Sequence, residues 1–160
     1  MGKGRNQTCP YDVVQERFDL RQGIPVIFSP VDTKDDGVIR ESTDLNIKFI
    51  PSGPTACSQS TVSMMDSYDE SRGHWFVTTG GVEGDPYALS SLFRIKGGVS
   101  YKLAYCPSVC DSCEQYLCKE IGKYSSGLDS QLRLVLKDNG WPLVFVKADD
   151  ELLKQVVDHA

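Results

Sequence analysis

The chain has little of what most catalytic sites are built from. It holds two histidines, His74 ahead of Trp75 and the penultimate His159, and they are too far apart to form a paired-ligand motif. Gly-x-Ser-x-Gly, a glycine-rich phosphate loop and His-Glu-x-x-His are all missing. A nucleophilic triad needs a histidine held by a carboxylate, and neither histidine sits in such a setting, so both read as partly exposed structural residues. The chain is therefore not expected to be an enzyme, and no cofactor is expected. Asp35-Asp36 beside Lys34 offers too few oxygens for a carboxylate metal site. Positive charge is scarce as well. The net charge of -5 leaves nothing to neutralise a line of phosphates, which excludes a nucleic-acid partner. No apolar run approaches the ~20 residues needed to cross a bilayer, so no membrane partner is expected. The opening Met-Gly-Lys-Gly-Arg-Asn-Gln-Thr has no apolar secretory core.

Cysteine, in contrast, is plentiful. Four of the six cysteines, Cys106, Cys110, Cys113 and Cys118, crowd one short stretch, and Cys9 and Cys57 stand apart. Two chemistries suit that density. Clustered thiolates can close a zinc or iron–sulfur site. The alternative is a pair of disulfides that clamp a surface loop, and the even total fits a disulfide framework. Spacing alone leaves both open, and six cysteines allow fifteen pairings. Disulfides require an oxidising compartment, so a secretory signal upstream of this start is one expectation and a cytosolic thiol protein the other. Asn6-Gln7-Thr8 is a glycosylation sequon that matters only in a secreted chain.

Hydrophobic content of 40% and charged content of 24% suit a soluble globular protein, and the length suits a single domain over residues 1–160. Short extended segments recur between turn residues: 13–15, 24–28, 38–40, 45–49, 61–65, 75–79, 92–95, 101–105, 132–136 and 142–146. Leu45, Ile47 and Phe49 alternate with Asn46 and Lys48, the pattern of a half-buried strand. Gly97-Gly98 predicts a tight hairpin, and Asp138-Asn139-Gly140 predicts another, joining the 132–136 strand to 142–146. Residues Val31 to Gly37 are polar and acidic and read as an exposed loop. The tail from Asp149 to His159 reads as a short amphipathic helix or a frayed end. An all-β barrel or sandwich follows.

Several stretches together resemble the plant Kunitz-type protease inhibitors, the soybean trypsin inhibitor kind, and most of all their miraculin-like subgroup. They are Cys9-Pro10-Tyr11-Asp12-Val13-Val14-Gln15, Gly23-Ile24-Pro25-Val26, Ser42 to Phe49, Trp75 to Val82, Phe93-Arg94-Ile95, Tyr101-Lys102-Leu103 with Cys106 to Cys110, Asp129 to Leu136, and Pro142-Leu143-Val144. The resemblance runs in order along nearly the whole chain. It implies a β-trefoil, a six-stranded barrel capped by three hairpins in pseudo-threefold arrangement. It also implies Cys9–Cys57, Cys106–Cys118 and Cys110–Cys113 bridges, which displace the metal reading. The family's opening barrel strand has no counterpart ahead of Cys9, and Ser63 stands where the family carries a buried tryptophan. An unpaired edge and a gap in the core are therefore expected.

Family members inhibit endopeptidases, serine proteases above all. The resemblance implies the same partner here, met by a monomer that is secreted or vacuolar. A convex loop is held extended as a substrate would be, so binding costs little ordering entropy. In this chain the loop corresponds to Ser29–Glu41, with Lys34, Asp35 and Asp36 at its tip and Lys34–Asp35 as the bond presented. A trypsin-type pocket carries an aspartate and takes Lys or Arg, and the two carboxylates after Lys34 disfavour such a partner. The alternative is a non-inhibitory storage or binding protein on the same fold.

Overall fold

The computed structural model describes residues 9–16, 23–32, 36–110, 118–127 and 131–148. Among the described residues, eight strands form two sheets. The first is a ribbon of β1 (Val26–Pro30) and β2 (Leu45–Phe49). The second contains β3 (Ser63–Asp69), β4 (His74–Thr79), β5 (Arg94–Lys96), β6 (Lys102–Tyr105), β7 (Lys119–Tyr124) and β8 (Arg133–Lys137), in the order β3-β4-β8-β7-β6-β5. Every strand pair is antiparallel. A 3-10 turn at Leu89–Ser91 is the only helical piece among the described residues.

Two bridges fasten the ribbon to the larger sheet. Leu45 and Phe93 exchange both backbone hydrogen bonds, at 2.8 and 2.9 Å, and Lys48 lies opposite Val62. Strand β2 carries the alternation of Leu45, Ile47 and Phe49 but is buried on both faces, because Asn46 is buried too. Its amide is fully employed. Asn46 Nδ2 donates to the Ser91 carbonyl at 2.9 Å, and Asn46 Oδ1 accepts from the Gly84 N–H at 2.8 Å. A buried amide with its partners in place costs little and fixes the strand's neighbours.

Strands β4 and β8 meet only at Phe76 and Val135. The expected extended segment around Val13 wedges between them. The Val13 N–H donates to the Val77 carbonyl at 3.0 Å, and the Leu134 N–H donates to Val13 at 2.9 Å. Cys9–Cys57 anchors the start of this segment, and the Tyr11 hydroxyl accepts from the Ala56 N–H at 2.9 Å beside it. With a sequence separation of 48, that crosslink is worth about 4 kcal/mol on a chain-entropy model. Cys106 is bonded to Cys118, and Cys110 is also in a disulfide. Bonded cysteines have no thiolate to give a metal, so the metal reading of the cluster falls. Cys113 lies outside the described residues, as do Asn6, His159 and the expected tail helix.

Three expectations need correction. Strand β7 was absent from the sequence reading, because Lys-Glu-Ile-Gly-Lys-Tyr offers one inward apolar side chain, Ile121. It is a strand because β6 and β8 pair with it on its two edges. The 97–98 hairpin does join β5 to β6, but through residues 97–101, wider than a two-residue turn. The Asp138-Asn139-Gly140 turn does not fold 142–146 back onto β8. Gly140 instead donates to Glu120 Oε2 at 2.5 Å, where a Cβ would lie 2.6 Å from the Glu120 Cβ. That N–H is the chief reason the Glu120 carboxyl is held below the usual range. Beyond the turn, Leu143 pairs with Tyr101 alone, and Val144 and Val146 are each 82% exposed.

The core gathers side chains from both sheets, Ile47, Phe49, Met65, Val77, Phe93 and Ile121 among them. The core borders an apolar cavity of about 220 Å³, with Ser63 on its wall. Phe93→Ala should cost about 3–5 kcal/mol in urea unfolding, the range for a buried ring removed from a packed core. Val144→Ala, at the exposed edge, should change stability by no more than about 0.5 kcal/mol.

Candidate reactive loop

The connection from β1 to β2 is shaped at its base. Pro30 lies opposite Leu45, and the Val31 N–H donates to the Asp44 carbonyl at 3.1 Å. Val31 itself is buried, so the chain leaves the ribbon with one side chain pointing into the fold. Lys34 and Asp35 lie outside the described residues. Asp36 is exposed and forms a two-pronged pair with Arg40: Nη2 to Oδ2 at 2.6 Å and Nη1 to Oδ1 at 3.0 Å. Asp36 Oδ1 also accepts from the Val38 N–H at 3.1 Å. These contacts close a small ring of chain, and Val38 and Ile39 project from it at 49% and 40% exposure.

The returning arm is braced against β5 and its hairpin. Thr43 Oγ1 donates to the Arg40 carbonyl at 2.8 Å. The Ser42 N–H donates to Ile95 at 2.9 Å, with Ser42 at φ 57, a left-handed position rarely taken by a residue with a side chain. The Glu41 carboxylate lies against Gly97, where a Cβ would come within 2.3 Å of its oxygens and push that side chain aside. Asp44 is the central tie. Its Oδ1 accepts from Arg94 Nε at 3.0 Å, and its Oδ2 accepts from the Ser108 N–H at 3.2 Å and from the Ser108 hydroxyl. One carboxylate thus joins the loop, β5 and the segment that begins at Cys106. Its side chain is 13% exposed, so its pair with Arg94 is screened less than a surface pair.

Sequence reasoning missed these braces. Asp36 and Arg40 stand four apart, a spacing that helices use for ion pairs, and nothing in the composition announces the same pairing in a loop. Asp44 lay within a matched stretch, but its partners Arg94 and Ser108 are far away in sequence.

A model of the Kunitz_legume family, described as trypsin and protease inhibitor, matches residues 1–147. The chain belongs to that family. This Kunitz-type chain is 51% identical over 162 residues to a 21 kDa seed protein of Theobroma cacao, covering 99% of this chain and 72% of that one. It is 42% identical over 144 residues to miraculin of Synsepalum dulcificum, covering 87% of this chain and 64% of the other. The chain therefore spans about two thirds of the length of these relatives. Among solved structures, the trypsin inhibitor CrataBL of Crataeva tapia matches with a TM-score of 0.71 and 31% identity, over 88% of this chain and 80% of that one. The fold is accordingly the β-trefoil of the soybean trypsin inhibitor kind, and the family is one of inhibitors, not enzymes.

The Arg40 hydrogen bonds, with the Val38 N–H second, pull the Asp36 carboxyl down to about 2. A lowered folded value means the clamp is complete above the ordinary carboxylate range and is lost as pH falls toward 2. A carboxyl-carbon NMR titration should place Asp36 near 2, and Arg40→Gln should move it back up toward the ordinary aspartate value of 3.8.

Proposed function

We propose that this Kunitz-type domain is an endopeptidase inhibitor acting on serine proteases, with Ser29–Glu41 as the substrate-like loop and Lys34–Asp35 as the bond presented. The observation that carries the reading is the bracing of the loop's two arms: Val31 to Asp44 at the base, and Asp44 to Arg94 and Ser108 behind it. A segment held in advance by the fold pays its ordering cost during folding and not on meeting the protease. Val38 and Ile39 give the loop an apolar surface to bury. Arg40 has its charge matched by Asp36, so Lys34 is the basic residue left to enter an acidic specificity pocket. The same pairing provides one of the two acidic neighbours of Lys34 with a counter-charge.

The disulfides support a secreted or vacuolar location, since such bonds persist in oxidising compartments. Among the described residues no helix is long and apolar enough to cross a membrane. Asn6 is the proposed glycosylation site. The protein acts as a monomer, without nucleic-acid or membrane partners.

The second reading, a storage or binding protein on the same fold, is favoured by the likeness to a protein named for its place in seeds. Residual activity of trypsin, chymotrypsin and subtilisin, titrated with the oxidised protein, separates the two. Inhibition of one of them is expected. Lys34→Ala should abolish it, and Asp44→Ala should weaken it about tenfold or more while leaving the protein folded, as a lost charge-assisted brace would. Full protease activity in the presence of a cooperatively folded protein would leave the storage or binding role.

A further inference from the structure

The turn after β8 carries the chain's one Asn-Gly pair, Asn139-Gly140. Asparagine is a thermolabile residue, and a glycine after it, having no side chain, lets the next amide nitrogen swing onto the carboxamide. Packing against β7 favours glycine here all the same. A Cβ at position 140 would lie 2.6 Å from the Glu120 Cβ and 3.1 Å from the Ile121 carbonyl oxygen. Asn139 is exposed, so water reaches it. The nitrogen that would attack, however, is engaged. The Gly140 N–H donates to Glu120 Oε2 at 2.5 Å, and the Trp141 N–H donates to the Ile121 carbonyl at 3.0 Å. Both bonds fasten the turn to β7. The same Glu120 oxygen accepts from Lys102 Nζ at 3.0 Å.

We infer that Asn139 is a latent deamidation site, and that the Glu120 carboxylate on the Gly140 N–H holds it in check. In the reaction the Gly140 nitrogen gives its proton to solvent and attacks Asn139 Cγ. The N–Cγ bond forms, the Cγ–Nδ2 bond breaks, and Nδ2 leaves as ammonia with a proton taken from solvent. Water then opens the five-membered imide at either carbonyl, to aspartate or to isoaspartate. The attacking nitrogen is anionic. A carboxylate at 2.5 Å opposes that charge, and its hydrogen bond keeps the N–H turned toward β7. Isoaspartate lengthens the backbone by one atom and upsets the match of Gly140 and Trp141 with their acceptors. The modification therefore accumulates in molecules whose turn has opened. The site is separate from the Ser29–Glu41 loop and stands whether or not that loop inhibits a protease.

Ageing the oxidised full chain in warm, mildly alkaline buffer tests this, with intact mass and peptide mapping reporting the amide lost at 139. A synthetic peptide of residues 137–143 is the unguarded reference. The folded protein should deamidate about tenfold or more slowly than the peptide, as the loss of a hydrogen bond to a charged group implies. Glu120→Gln, which keeps the shape and removes the charge, should speed the folded protein about tenfold. Lys102→Met removes a partner of Glu120 but leaves its carboxylate on Gly140, and should change the rate by no more than about twofold. The inference is overturned if the folded protein deamidates as fast as the peptide, or if Glu120→Gln leaves its rate unchanged. It is equally overturned if Lys102→Met speeds the reaction as much as Glu120→Gln does. Should Glu120→Gln fail to fold, Glu120→Asp, which draws the carboxylate back by one methylene, takes its place with the same outcomes deciding.

Discussion

The structure depends on one short antiparallel contact, the mutual hydrogen bonds of Leu45 and Phe93. The β1–β2 ribbon is a two-stranded piece that would be marginal alone. Joined to the larger sheet at this point, it shares a core with it, because Leu45 and Phe93 are each at most 1% exposed. The next residue, Asn46, ties the same strand to the turn at Leu89–Ser91, and the residue before, Asp44, ties it to Arg94 and Ser108. Three consecutive residues thus carry a core contact, a buried amide and a partly buried ion pair. The returning arm of the loop is held because the strand that receives it is held.

This placement gives the loop and the core different tolerances. The exposed side chains of Val38 and Ile39 can change without disturbing the packing below. Asp44, Glu41 and Ser42 cannot vary so freely, since each meets a particular backbone or side-chain group of β5 or its hairpin.

Where apolar residues alternate, the sequence was legible: Leu45, Ile47 and Phe49 mark β2, and Leu134 and Leu136 mark β8. Strand β7 was not, because it is held from its edges, with Ile121 as its one inward apolar anchor. Asn46 looked like a solvent-facing residue, since one letter does not show that two backbone groups wait for its amide. The Asp138–Gly140 turn misled for a related reason. Its residues favour a tight turn, but the partner it serves is Glu120, not the strand it leaves. The bracing of Ser29–Glu41 was not legible, because it depends on contacts between distant residues.

The Cys9–Cys57 bridge has a consequence that reaches beyond folding stability. Both cysteines lie outside Ser29–Glu41 in the chain, one on each side. A nick anywhere in that loop therefore produces two pieces still tied by a covalent bond. The cut protein would migrate as a single band until a reductant is added, then separate in two. The severed ends would stay at a high effective concentration relative to each other, the condition under which resealing competes with escape.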